Sequence, residues 1–157
     1  MALLAVLVLL SCKSAPSSHQ VQGEVTQAKI NEALSHIYED YHNDLDMTGA
    51  QTYTVVSGDT LVQITQQFYG NLSGIGEAGS SNGFYFPVIM LASETEIKDP
   101  DLIQPGMVLR IPDLKKNLDN GTSHKAIKDF LKEVAYIYSK KKNSEKENGL
   151  TKLSNSL

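Results

Sequence analysis

The apolar positions along this chain follow two periods, and the change of period marks out its parts. Over residues 24–46, Ile30, Ala33, Leu34, Ile37, Tyr38 and Tyr41 recur at spacings of three and four. That is one stripe of a 3.6-residue helix and predicts an amphipathic N-terminal helix. The run NDLDMTGA at 43–50 supplies turn-forming residues to end it. Near the other end Ile127, Phe130, Leu131, Val134, Ile137, Tyr138 and Lys141 keep the same spacing. They predict a second amphipathic helix over 122–142, with Thr122 or Ser123 as its N-cap.

The centre is different. YTVV at 53–56 and MVLRI at 107–111 are short β-branched and aromatic runs, the second closed by Pro112, and both read as strands. Two helical patterns lie between them. Leu61, Ile64, Phe68 and Tyr69 form the first, opened by Asp59 or Thr60 as cap and stopped by Gly70. The second starts at Pro87, a good first helical residue, and runs through Val88 to Leu91 and on to Ser93. Strand, helix, helix, strand is a compact α+β unit.

The two ends of the chain add a location and a charge asymmetry. The first ten residues, MALLAVLVLL, are aliphatic and lead into Ser11 and Cys12. The run falls short of the ~20 apolar residues a spanning helix needs. It fits the core of a signal peptide over residues 1–11. Cys12 is the single cysteine, so no internal disulfide can form. LLSC at 9–12 resembles a lipobox, which makes Cys12 the expected lipidation site, and KSAPSSHQVQG extends the polar, flexible tether over 12–23. Residues 143–157 read as a basic and polar tail that frays. From Leu114 onward there are ten lysines against five carboxylates, whereas before it four cations face thirteen carboxylates. The net charge of −4 argues against nucleic acid as a partner. Lys140, Lys141 and Lys142 read as a solvated helix end facing the negative pole of the helix dipole.

The central segment resembles a LysM domain. YTVVSGDTL at 53–61 is similar to that family's opening strand and turn, and FYG at 68–70 to the stop of its first helix. FPVI at 86–89 is similar to the start of its second helix, and DPDLIQPGMVLRIP at 99–112 to its closing segment. Several motifs in the family's order make the resemblance specific over residues 50–113. It implies a βααβ fold with a two-stranded antiparallel sheet, here flanked by the N- and C-terminal amphipathic helices. It also implies a ligand, the N-acetylglucosamine-containing glycan of peptidoglycan or chitin, held between the loop after the first strand and the loop before the second. Carried onto this sequence, the ligand-binding candidates are Gly58, Asp59, Thr60 and Leu61 on one wall and Pro100, Asp101, Leu102 and Ile103 on the other. Gly58 lets the backbone turn and approach a ligand. Asp59 and Thr60 cap a helix whose outer N–H groups could donate to an acetamide oxygen. The alternative for each residue is purely structural, with Asp59 a cap and Leu61 and Ile103 core.

The segment departs from the family in three places. Ser93 stands where the family usually carries an asparagine that braces the fold, and Thr65 replaces a small apolar residue. Residues 71–85 form an inserted loop that lengthens a normally short connection.

Other patterns carry no chemistry. GIGEAG at 74–79 lacks the strand before it and the sheet around it that a dinucleotide fingerprint needs. GSSNG at 79–83 has no hydrolase sheet to stand on. The acidic run from Asp44 meets Val55 where a calcium loop needs glutamate. The four histidines and Cys12 lack zinc-site spacing, so no metal and no cofactor are expected. A hydrolase would need a catalytic domain of its own, for which the flanks are too small, so the chain is expected not to be an enzyme. The expected protein is a lipoprotein of the cell envelope facing periplasm or wall. It holds peptidoglycan glycan strands and sits on the membrane through its lipid. The alternative is a LysM-fold module docking another envelope protein through the 71–85 insertion or the flanking helices. Those helices are expected to bury their apolar stripes on each other or on the sheet.

Overall fold

A computed structural model describes residues 26–70 and 82–157. The expected signal peptide, Cys12, the tether and most of the 71–85 insertion lie outside them. The first element, α1 (Gln27–Tyr41), carries the predicted stripe with Ile30, Leu34 and Tyr38 buried. It ends before residue 46 because His42 closes it. The His42 N–H donates to Tyr38 O, and the His42 ring nitrogen Nδ1 lies 3.2 Å from the same carbonyl. The Asp44 N–H then takes Tyr41 O at 3.0 Å and bends the chain away.

Strands β1 (Gln51–Thr54) and β2 (Val108–Ile111) pair antiparallel, Gln51 opposite Ile111 and Thr54 opposite Val108. Strand β2 follows the two-residue alternation of a half-buried strand, whereas β1 is exposed but for half-buried Tyr53. Leu109 and Ile111 point into the core, and Val108 and Arg110 face out. Pairing continues past β1, where the Val55 N–H donates to Met107 O and the Gly106 N–H donates to Val55 O, each at 2.9 Å.

Between the strands, α2 (Leu61–Tyr69) is followed by a 3₁₀ turn, Asn82–Tyr85, that runs into α3 (Phe86–Ala92). Residues 82–85 were expected to belong to a loop. They form a turn because Asn82 Nδ2 donates to Tyr69 O at 2.8 Å and so satisfies a free carbonyl at the end of α2. Every residue of α3 is buried. The two substitutions within the family pattern both find partners. Ser93 Oγ accepts the Arg110 N–H at 2.8 Å and braces β2 against the end of α3. The buried Thr65 hydroxyl donates to Leu61 O at 2.7 Å, which removes the cost of an unpaired polar group.

After the sheet come α4 (Leu114–Asp119), α5 (Gly121–Lys140) and α6 (Ser144–Ser156). The cap of α5 is Asn120 and not Thr122 or Ser123. Asn120 is extended, at φ −92° and ψ 118°, and its Oδ1 accepts from the N–H groups of both those residues, which are already helical. Helix α5 is the centre of the core. Phe130 stacks on Tyr38 at 5.8 Å and meets Tyr41 edge-on, and Tyr138 meets Phe86 edge-on at 5.9 Å. The flanking helices therefore do bury their stripes on each other and on α3.

The tail 143–157 is a correction: it does not fray but forms α6. Leu150 and Leu153 are fully buried, and burying a leucine contributes about 1.5–3 kcal/mol, enough to dock a helix that is otherwise polar. Gly149 makes the close approach possible, since a Cβ there would come within 2.3 Å of the Phe84 ring. The bend from α5 to α6 is a Schellman turn. The Asn143 N–H donates to Tyr138 O at 3.0 Å and the Lys142 N–H to Ser139 O at 3.1 Å, with Lys142 left-handed at φ 56° where glycine is usual. The architecture is α+β, a two-stranded antiparallel sheet with helices around it.

Candidate functional site

The loop after β1 and the loop before β2 face each other across a cleft of about 130 Å³. Six of the eight residues expected from the sequence line it: Asp59, Thr60 and Leu61 on one side, Pro100, Asp101 and Ile103 on the other. Gly58 and Leu102 do not. Gly58 serves the turn, with φ at 94° and open space where a Cβ would stand, so its freedom of φ and no close contact explains it. Leu102 is 54% exposed and stands apart from the cleft.

The first wall is a turn locked by its own residues. Asp59 Oδ2 accepts from the Tyr53 hydroxyl at 2.8 Å and from the Val56 N–H at 2.9 Å. Asp59 is thus a brace of the turn, not a helix cap as expected. The cap is Thr60, extended at φ −121° and ψ 153°, one residue closer to the helix. Its Oγ1 accepts the Gln63 N–H while Gln63 Oε1 accepts the Thr60 N–H, a reciprocal capping box. The first-turn N–H groups of Leu61 and Val62 have no acceptor within a helix, and both residues line the cleft. Leu61 is almost wholly buried and belongs to core and cleft floor together.

The second wall is held from a distance. Asp101 Oδ1 accepts from the Tyr138 hydroxyl at 2.9 Å and from Lys146 Nζ, and Asp101 Oδ2 pairs with Lys141. Lys141 Nζ also bonds both oxygens of Asp99, at 2.8 and 3.0 Å, and Gln27 of α1 donates to Asp99 at 2.7 Å. Lys141 is therefore no solvated helix end: its side chain is 15% exposed, and that of Asp99 3%. Burial by itself would raise the Asp101 carboxyl. The bonds from Lys141, Lys146 and Tyr138 outweigh it and hold the group below its usual 3.8. Burial likewise pulls at Lys141, but its bonds to Asp101 and Asp99 keep it above the usual 10.5. The Tyr138 phenol is pushed up by burial and then by the Asp101 charge.

Sequence reasoning missed four residues of the cleft, Val62, Phe86, Tyr138 and Lys146. A phenol on a buried stripe needs a partner, which was a faint signal for Tyr138. Lys146 lies in a polar stretch and gave none. The cleft offers backbone donors, a hydroxyl, two braced carboxylates, one ammonium group and an apolar floor. Such a set suits hydrogen bonding to a neutral polar ligand.

Comparison with known proteins agrees with the fold. Residues 53–112 match the model of the LysM domain, a family of binding modules. A potassium binding protein, Kbp, of Escherichia coli O6:H1 is 42% identical over 66 residues, which are 42% of this chain and 37% of that protein. An uncharacterised protein of Deinococcus radiodurans is 29% identical over 89 residues, 57% of this chain and 29% of its own length. The match thus spans little more than a third of the first relative and less than a third of the second. No solved structure matches the chain significantly. The ordered motifs, the βααβ core and the family match agree that residues 53–112 of this chain are a LysM domain.

Proposed function

We propose that this chain is a non-catalytic protein of the cell envelope that binds the N-acetylglucosamine-containing glycan of peptidoglycan in the cleft between residues 59–61 and 100–103. The observation that carries the reading is the cleft itself: two loops forty positions apart in sequence, both singled out by the LysM pattern, line one groove. The unpaired N–H groups at the start of α2 fit an acetamide oxygen, and Leu61 with Ile103 fits its methyl group. LysM domains are glycan-binding modules as a family, which supports a wall partner. Among the described residues no helix is long and apolar enough to cross a membrane. The membrane link is assigned to Cys12, acylated after removal of residues 1–11.

Retention of the purified protein on isolated sacculi tests the binding. Retention no greater than that of the Gly58→Trp variant or of an unrelated acidic protein overturns it. Labelling with radioactive palmitate, wild type against Cys12→Ser, tests the anchor, which an unlabelled wild type overturns.

One observation favours a second reading, a LysM-fold module that docks an envelope protein and no longer takes glycan. Asp101 is already saturated by Lys141, Lys146 and Tyr138. The E. coli relative's name suggests a third ligand, potassium. In this chain, however, Asp99 and Asp101 hold two lysine ammonium groups that a potassium ion would have to displace. Running the sacculus assay in KCl and in NaCl separates these readings, since retention that depends on potassium favours the cation.

A further inference from the structure

We infer that Lys146, on α6 and outside the segment that matches the LysM family, is a ligand-contacting residue of the cleft. It donates a charged hydrogen bond to a hydroxyl or acetamide oxygen of a neutral N-acetylated glycan. The inference rests on the glycan reading above and deepens it, because it makes α6 a third wall of the site.

Lys146 lines the same cleft as Thr60, Leu61 and Val62, and its side chain is 25% exposed. An ammonium group has three N–H donors. One is spent on the Asp101 carboxylate and one on the Tyr138 hydroxyl oxygen at 3.3 Å, which leaves one for the cleft. The position is held before any ligand arrives. Lys146 Nζ stands over the Tyr138 ring at 4.8 Å and the Phe86 ring at 5.8 Å, so little side-chain entropy remains to be lost on binding. Tyr138 borders the cleft with no exposed surface of its own, and both functions of its hydroxyl are spent on Asp101 and Lys146. It is a positioning residue, donating to Asp101 while accepting from Lys146.

Charge sets the ligand class. Lys141 and Lys146 balance Asp99 and Asp101, so Lys146 can share a donor with a ligand without stranding Asp101. The remaining charged side chain among those lining the cleft is Asp59, a carboxylate. An anionic ligand gains nothing from such a site, whereas a neutral amino-sugar chain finds donors, an acceptor and an apolar floor.

The test uses the full chain and calorimetric titration with a short β-1,4-linked N-acetylglucosamine oligomer. Lys146→Met keeps the stem over Phe86 and Tyr138 and removes only the donors; it is expected to weaken binding roughly tenfold, as loss of a charged hydrogen bond does. Lys146→Arg restores most of the affinity. Lys152→Ala, an exposed lysine on the same helix, leaves it unchanged. Thermal midpoints recorded alongside separate a lost contact from a loosened helix, since a lost contact weakens binding while the midpoint stays near wild type. Wild-type or tighter binding by Lys146→Met overturns the inference, and tighter binding identifies the lysine as a plug. No binding by any form, wild type included, overturns the glycan reading and this inference with it.

Discussion

The two walls of the cleft each present an aspartate, yet they are built in opposite ways. Around Asp59 every brace comes from within six residues: the Tyr53 hydroxyl, the Val56 N–H, and beside them the Thr60–Gln63 capping box. Around Asp99 and Asp101 the partners come from Gln27, 72 positions before, and from Tyr138, Lys141 and Lys146, 37 to 45 positions after. The first wall is a turn that closes on itself. The second is ordered only as far as α1, α5 and α6 are docked. A ligand held between them would therefore feel the state of helices outside the LysM segment, and it would feel it on one side.

Urea unfolding of two variants can break that contrast. Lys141→Ala should have the larger effect, about 3 kcal/mol, because it leaves the Asp99 carboxylate buried with only Gln27 and the Asp101 N–H as partners. Thr60→Ala removes one cap and should cost about 1 kcal/mol. Amide exchange adds the location of each effect. Lys141→Ala should speed exchange in α6 and in residues 99–103, whereas Thr60→Ala should act on the first turn of α2 alone. Equal costs, or equal spread, would mean that the walls do not differ as described.

The same contrast explains what could be read from the sequence. The strands, α2, α3 and the stripes of α1 and α5 were readable because period and turn chemistry are local properties. Asp59, Thr60 and Leu61 reach the cleft for the same reason, since their turn fixes its own geometry, whereas Pro100, Asp101 and Ile103 reach it on a loop held by remote partners. Where the reading failed, the deciding partner was remote or one residue away. Asp59 and Thr60 compete for the cap, and only backbone conformation chooses between them. Asn120, Thr122 and Ser123 are equally good caps as letters, and only the extended backbone at Asn120 decides among them. Helix α6 and the residue that follows it offer only Leu150, Leu153 and Leu157 as apolar anchors, and their value appears only once Phe84 is found against Gly149. Lys141 looked like one of three solvated lysines until Asp99 came into contact from the other end of the domain. Remote charge pairing leaves no periodicity to detect.

A smaller effect sharpens the contrast through pH. The Asp101 carboxyl is held below its unfolded value of 3.8 because the bonds from Lys141, Lys146 and Tyr138 outweigh its burial. A depressed carboxyl contributes stability that is complete above its unfolded value and is lost as pH falls through the lower folded value. Acid should therefore loosen the second wall. Thermal midpoints of wild type and Asp101→Asn should differ at neutral pH and converge as pH is taken below about 3.8, with the wild type falling toward the variant. Because the Asp101 side chain is 30% exposed, solvent screens the pairs and the gap should be modest. Added salt at neutral pH should narrow it further. A gap that stays constant down the pH scale would mean that the carboxylate's charge does not hold α5 and α6 to the loop, and that α6 docks through Leu150, Leu153 and the Gly149–Phe84 contact alone.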